Sequence, residues 1–230
     1  MNSSNNGMSS FLSELAGEAS QKLEAQRARE QDRQTMAREV NSALERTFQF
    51  FNLFTKHLNA LQPDIPRVYA LDGKTRFSPL KWKSGTAEYR KQSLADNALF
   101  DHVLFQARLI TLGPVTLSRR WELFDEVRRD LQAFGLKPEE DMHDLWRNRT
   151  PTVTFQLGLE PELTIRMRFQ GNYEGGSVDL EGNNVDGFGA ARARLKPESL
   201  QPGLFDEIGR FLMGRTTTLP QELKLMRDLS

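Results

Sequence analysis

From Ser10 to Leu61 the chain holds no proline and one glycine, Gly17, and it is rich in Ala, Glu, Gln, Arg and Leu. Such a composition predicts a single uninterrupted helix. At 1.5 Å per residue it would be on the order of 75 Å long, more than a body built from the remaining residues can cover. Part of it is therefore expected to project, which makes this segment the strongest constraint on the fold.

The two halves of the segment are patterned differently. Met36, Val40, Ala43, Leu44, Phe50, Phe51, Phe54, Leu58 and Leu61 recur at helical spacing on one broad face, with Phe48 at its margin. A face of that width suits a helix lying on a core. Upstream, Phe11, Leu12, Leu15, Ala19 and Leu23 form a narrower stripe, and the intervening QRAREQDRQT is almost wholly charged or amide. The second half is expected to dock. The first is expected to project and to pair with a copy of itself or with another protein, Phe11, Leu12, Leu15 and Leu23 being the partner-binding residues.

Beyond the helix the sequence reads as α+β: antiparallel sheet with two covering helices, in a possible tandem pseudo-repeat of strands then helix. Gln62 to Pro66 ends the long helix, because proline stops it. Leu80–Lys83 and Thr86–Arg90 flank Ser84-Gly85, which reads as a hairpin turn. An extended segment around 103–111 precedes a helix expected over 118–134 and closed by Gly135. Four extended candidates follow, at 152–159, 163–170, 177–180 and 188–195. A last amphipathic helix, 202–213, runs into Gly214. The organisation expected is a disordered tail over 1–9, a helical arm over 10–61, strand-helix halves over 65–136 and 150–215, and a C-terminal tail or short helix over 216–230.

The pseudo-repeat rests on an internal echo. Leu123-Phe124-Asp125-Glu126-Val127 recurs as Leu204-Phe205-Asp206-Glu207-Ile208, in phase through Arg129 with Arg210 and Leu131 with Leu212. An Ala-Arg-Leu triplet precedes each, at 107–109 and 193–195. Two readings fit: an ancestral duplication whose copies pack together, or two independent helix starts with acids in the first turn and an apolar face behind.

Chemistry is sparse in this sequence. Cysteine is absent, which removes thiolate metal sites and thiol nucleophiles and suits a cytoplasmic setting. Histidines 57, 102 and 143 lie far apart in the chain, and no phosphate-cradling loop, nucleophile elbow or zincin helix occurs. Glu139 to Asp144 offers oxygen and imidazole ligands without a second histidine at ligand spacing, so it reads as a loop or helix start. No apolar run approaches the ~20 residues of a membrane-spanning helix. Neither cofactor nor metal is expected.

The 31 basic and 31 acidic residues balance, so anion binding would need a local patch. One is available. Arg166 and Arg168 alternate with core residues on one predicted strand, as Arg192 and Arg194 do on another. On neighbouring strands these four guanidinium groups would share a face able to hold phosphate or nucleic acid. The competing reading is a solvated sheet whose arginines pair across strands with Asp179 and Glu181. The expected function is that of a non-enzymatic interaction protein acting through its N-terminal helix; the alternative is nucleic-acid or phosphate binding through the arginine face.

Overall fold

The computed structural model describes residues 10–95, 97–149 and 152–223, without the side chains of Ser10 and Phe11. The expected tail 1–9 lies outside them. One helix, α1, runs through Ser10–Leu61. It ends where Gln62 turns into the left-handed region (φ 42), its N–H closing on Leu58 O at 2.8 Å, ahead of Pro63. Val40, Ala43, Leu44, Thr47, Phe51, Thr55 and Leu58 are buried along one face. The hydroxyls of Thr47 and Thr55 donate to Ala43 O and Phe51 O, both at 2.8 Å, so the polar atoms on this face are satisfied within the helix.

In chain order the strands are β1 (Asp64–Ile65), β2 (Tyr69–Ala70), β3 (Arg76–Phe77), β4 (Leu80–Lys91), β5 (Phe100–Thr111), β6 (Val115–Arg120), β7 (Thr154–Leu159), β8 (Glu162–Asn172), β9 (Ser177–Asn183) and β10 (Ala190–Leu195). The remaining helices are α2 (Phe124–Phe134), α3 (Met142–Arg147) and α4 (Pro202–Leu212). Six strands form one antiparallel sheet in the order β1-β4-β5-β8-β9-β10, and β2-β3 and β6-β7 are separate pairs.

Alternation decides which face of the sheet is buried. Val103, Phe105, Ala107 and Leu109 on β5, and Leu163, Ile165, Met167 and Phe169 on β8, point to the core. Phe51 of α1 meets them there, its ring 4.5 Å from Phe105 and 5.6 Å from Phe169. The second half of α1 thus lies on the sheet, and the opposite face stays open. The smaller β6-β7 pair carries α2, with Trp121, Phe124 and Phe155 in mutual ring contact.

Several sequence expectations change. The Ser84-Gly85 hairpin is absent: β4 is one continuous strand, with Lys83 as an extra residue between Trp82 and Ser84. Segment 118–120 belongs to β6, because Val115 and Leu117 alternate inward and pair with β7, so α2 begins at Phe124. Leu61, expected on the buried face, is 71% exposed beyond the edge of the sheet. Glu139 to Asp144, read as a loop or helix start, leads into α3, with Asp141 as its N-cap. Gly135 and Gly214 do take the left-handed conformation (φ 67 at both) that terminates their helices.

Candidate functional site

Every residue from Leu12 to Thr35 is exposed, and Val40 is the first buried position among the described side chains of α1. This unsupported stretch is about 35 Å long. Leu12, Leu15 and Leu23 stand 54, 43 and 48% exposed, although they are the apolar residues of the segment. Phe11, expected to belong to the same stripe, lies outside the described side chains. A helix this long with no core contact has only its own hydrogen bonds and side-chain pairs to support it, and tertiary burial normally supplies most of a helix's stability.

The docked half of the same helix borders a groove. Phe205 at the start of α4 stacks on Phe50, centroids 5.1 Å apart, and Phe50 stacks on Phe54 at 5.5 Å. One turn on, Gly209 lets α4 come close: a Cβ there would lie 3.3 Å from the Phe54 ring and 3.4 Å from Phe50. The resulting depression of about 300 Å³ has Phe50, Phe54, Leu58, Gly209 and Met213 as its floor and Asp206, Arg210 and Arg215 at its rim. Leu53, on the same stretch of α1, is 54% exposed.

The arginines fall where the alternation placed them. β8, β9 and β10 are neighbours, so Arg166, Arg168, Arg192 and Arg194 share the open face. Between the two arginine strands, however, β9 inserts acids. Arg192 lies 3.0 Å from Glu181 and Arg194 lies 2.7 Å from Asp179. On the far side Lys83 and Arg108 share Glu162 at 2.5 and 3.8 Å. Arg166 alone of the four has no hydrogen bond or ion pair among the described residues.

Arg168 belongs to a network that sequence reasoning missed. Asp101 is the extra residue of a second irregularity, where β5 slips against β4 between Arg90 and Lys91. That slip re-aims the Asp101 carboxylate toward His102, Oδ2 to Nδ1 2.7 Å. The bond with His102 outweighs partial burial and holds the Asp101 carboxyl below its usual range. Gln170 donates to Asp101 Oδ1 at 2.9 Å and accepts from Arg168 at 2.7 Å. The network crosses two strands, so its evident role is to tie β5 to β8.

Asp141, His143 and Asp144 bring ligand atoms within 4.8 Å of one another, but all three are exposed. The Asp141 carboxylate already caps α3, accepting from the N–H groups of His143 and Asp144 at 2.7 and 3.2 Å. No family model, curated protein or solved structure matches the chain.

Proposed function

We propose that this protein is a non-enzymatic assembly protein, in a cytoplasmic setting, that self-associates or docks a protein partner through coiled-coil-type contacts of its N-terminal helix. The observation that carries the reading is the full exposure of residues 12–35, a stretch that keeps an apolar stripe with nothing among the described residues to cover it. Light scattering after size-exclusion chromatography tests it. The full chain is expected to elute as an oligomer, and Leu15→Glu with Leu23→Glu to convert it to a folded monomer. A monomeric full chain that also recovers no partner through the arm would end the proposal.

A second reading, phosphate or nucleic-acid binding through Arg166, Arg168, Arg192 and Arg194, is favoured by one observation, that Arg166 on the open face has no hydrogen bond or ion pair among the described residues. It predicts low-salt oligonucleotide binding that is lost in Arg166→Ala with Arg192→Ala. Binding unchanged in that variant would remove it.

A further inference from the structure

The groove between α1 and α4, and the arm that begins the same helix, fit each other in length, spacing and charge. We infer that the groove receives the N-terminal arm of a second copy, the two α1 helices pairing antiparallel about a two-fold axis near Thr35 and Met36. This rests on the self-association reading and gives it a geometry.

Length comes first. Thr35 and Met36 divide the 52-residue helix into equal halves, one free and one docked. In an antiparallel pair centred there, each free half lies along the other copy's docked half. The two bodies then sit at opposite ends of the pair. The contact is made twice by one operation and closes as an isologous dimer, leaving no arm exposed to recruit further copies.

Spacing follows from the same register. Leu12 lies level with Asn59 of the other copy, Leu15 with Lys56, Ala19 with Asn52 and Leu23 with Phe48. The stripe therefore spans the stretch that holds Phe50, Phe54 and Leu58, the floor of the groove. An apolar helix face with residues at i, i+3 and i+7 is the shape such a trough between two helices accepts.

Charge selects the direction. Phe205 stacks on Phe50 and Gly209 lies against Phe54, so α4 runs alongside α1 in the same sense. Along the rim the order is Asp206, Arg210, Arg215. An arm entering antiparallel brings Lys22 to within one helical turn of the level of Asp206, and Glu18 and Glu14 to within one turn of the levels of Arg210 and Arg215. All three meet an opposite charge. A parallel entry would set Glu14 near Asp206 and Lys22 near the arginines, opposing like charges, which disfavours that orientation.

The absence of cysteine makes the test direct. Leu15→Cys combined with His57→Cys in the full chain places thiols one level apart across the antiparallel pair, and oxidation is expected to give a covalent dimer. Leu15→Cys alone is expected to give none, because the two copies of that position lie far apart. Arg210→Glu with Arg215→Glu is expected to weaken dimerisation at least tenfold, and adding Glu14→Arg with Glu18→Arg to restore it. A dimer that is cross-linked by Leu15→Cys alone pairs its arms in parallel, which overturns this geometry and leaves self-association standing. A dimer cross-linked by neither variant overturns it as well. A full chain that is monomeric throughout overturns both.

Discussion

Asn184 shows how much one side chain can hold. It is buried with φ 55, and its amide donates to Phe134 O at 2.8 Å and Thr164 O at 2.9 Å while its Oδ1 accepts from Gly189 N at 3.1 Å. Its own carbonyl accepts from the Tyr69 hydroxyl at 2.9 Å, and burial pushes that phenol up to about 12. Asn184→Ala removes three hydrogen bonds, leaves two partly buried carbonyls without this donor and sets a Cβ in the left-handed region without a side-chain amide to compensate, an expected loss of about 2–3 kcal/mol. Asn184→Gly keeps the backbone at ease and is expected to cost about 1 kcal/mol less. Urea unfolding of the two variants checks both values. No short motif in the sequence marks Asn184, because its partners come from α2 and β8, which no local reading brings together.

Asp72 carries a pH dependence. Burial raises its pKa, but the N–H groups of Thr75 and Lys74 and the Arg119 guanidinium outweigh burial and bring the carboxyl from 3.8 to about 2. A depressed folded pKa stabilises the fold above the unfolded value, and that contribution is lost as pH falls from about 4 through about 2. The site is partly open to solvent, so the contribution is about 1 kcal/mol. Asp72→Asn is therefore expected to lower stability at pH 7 by about that amount and to narrow its gap to the parent chain at pH 2, read as urea midpoints at the two values.

At the scale of elements, β4 shows why a turn signal can mislead. Ser84-Gly85 between two apolar runs has hairpin chemistry, yet the chain runs straight on because α1 fixes it there. Asn59 Oδ1 accepts from Trp82 Nε1 at 2.9 Å and from Gly85 N at 2.7 Å, and its amide donates to Gly85 O at 2.8 Å. The glycine serves close approach: a Cβ at position 85 would lie 2.3 Å from the Trp82 ring. Gly85→Val is expected to displace the indole and cost about 2–3 kcal/mol in a denaturant titration. Asn59→Ala leaves the buried indole N–H without its acceptor and is expected to cost about 2 kcal/mol. The strands with clean alternation, β5 and β8, were legible because one face is buried throughout; a bulge set by a distant helix was not.

The echoed helices make the same point. Both start from Leu-Phe-Asp-Glu, but Leu123 stays 39% exposed in a turn before α2, whereas Leu204 is 7% exposed inside α4. In phase, Arg128 of α2 corresponds to Gly209 of α4. The arginine extends to Asp125 on its own helix, 3.1 Å away, while the glycine admits Phe50 and Phe54. Local sequence dictates that both segments are amphipathic helices; the residue opposite the partner decides what each can pack against.

For the molecule as a whole, the arm was legible and the groove was not. A run such as QRAREQDRQT cannot lie on a core, so projection follows from composition alone. The groove needs α4 beside α1, a contact between residues more than a hundred positions apart in sequence, and no periodicity reveals it. This division predicts how stability responds to concentration. Among the described side chains nothing before Val40 is buried, so the arm adds little to a lone copy, and Leu12→Glu with Leu15→Glu is expected to leave the melting temperature of a dilute sample essentially unchanged. Under the proposed self-association the folded parent chain is stabilised by mass action, so its melting temperature should rise as protein concentration rises, while that of the variant stays flat. Calorimetry over a hundredfold concentration range separates the two curves. Parallel, flat curves would mean that the arm takes no part in self-association and that its exposed stripe is reserved for a different partner.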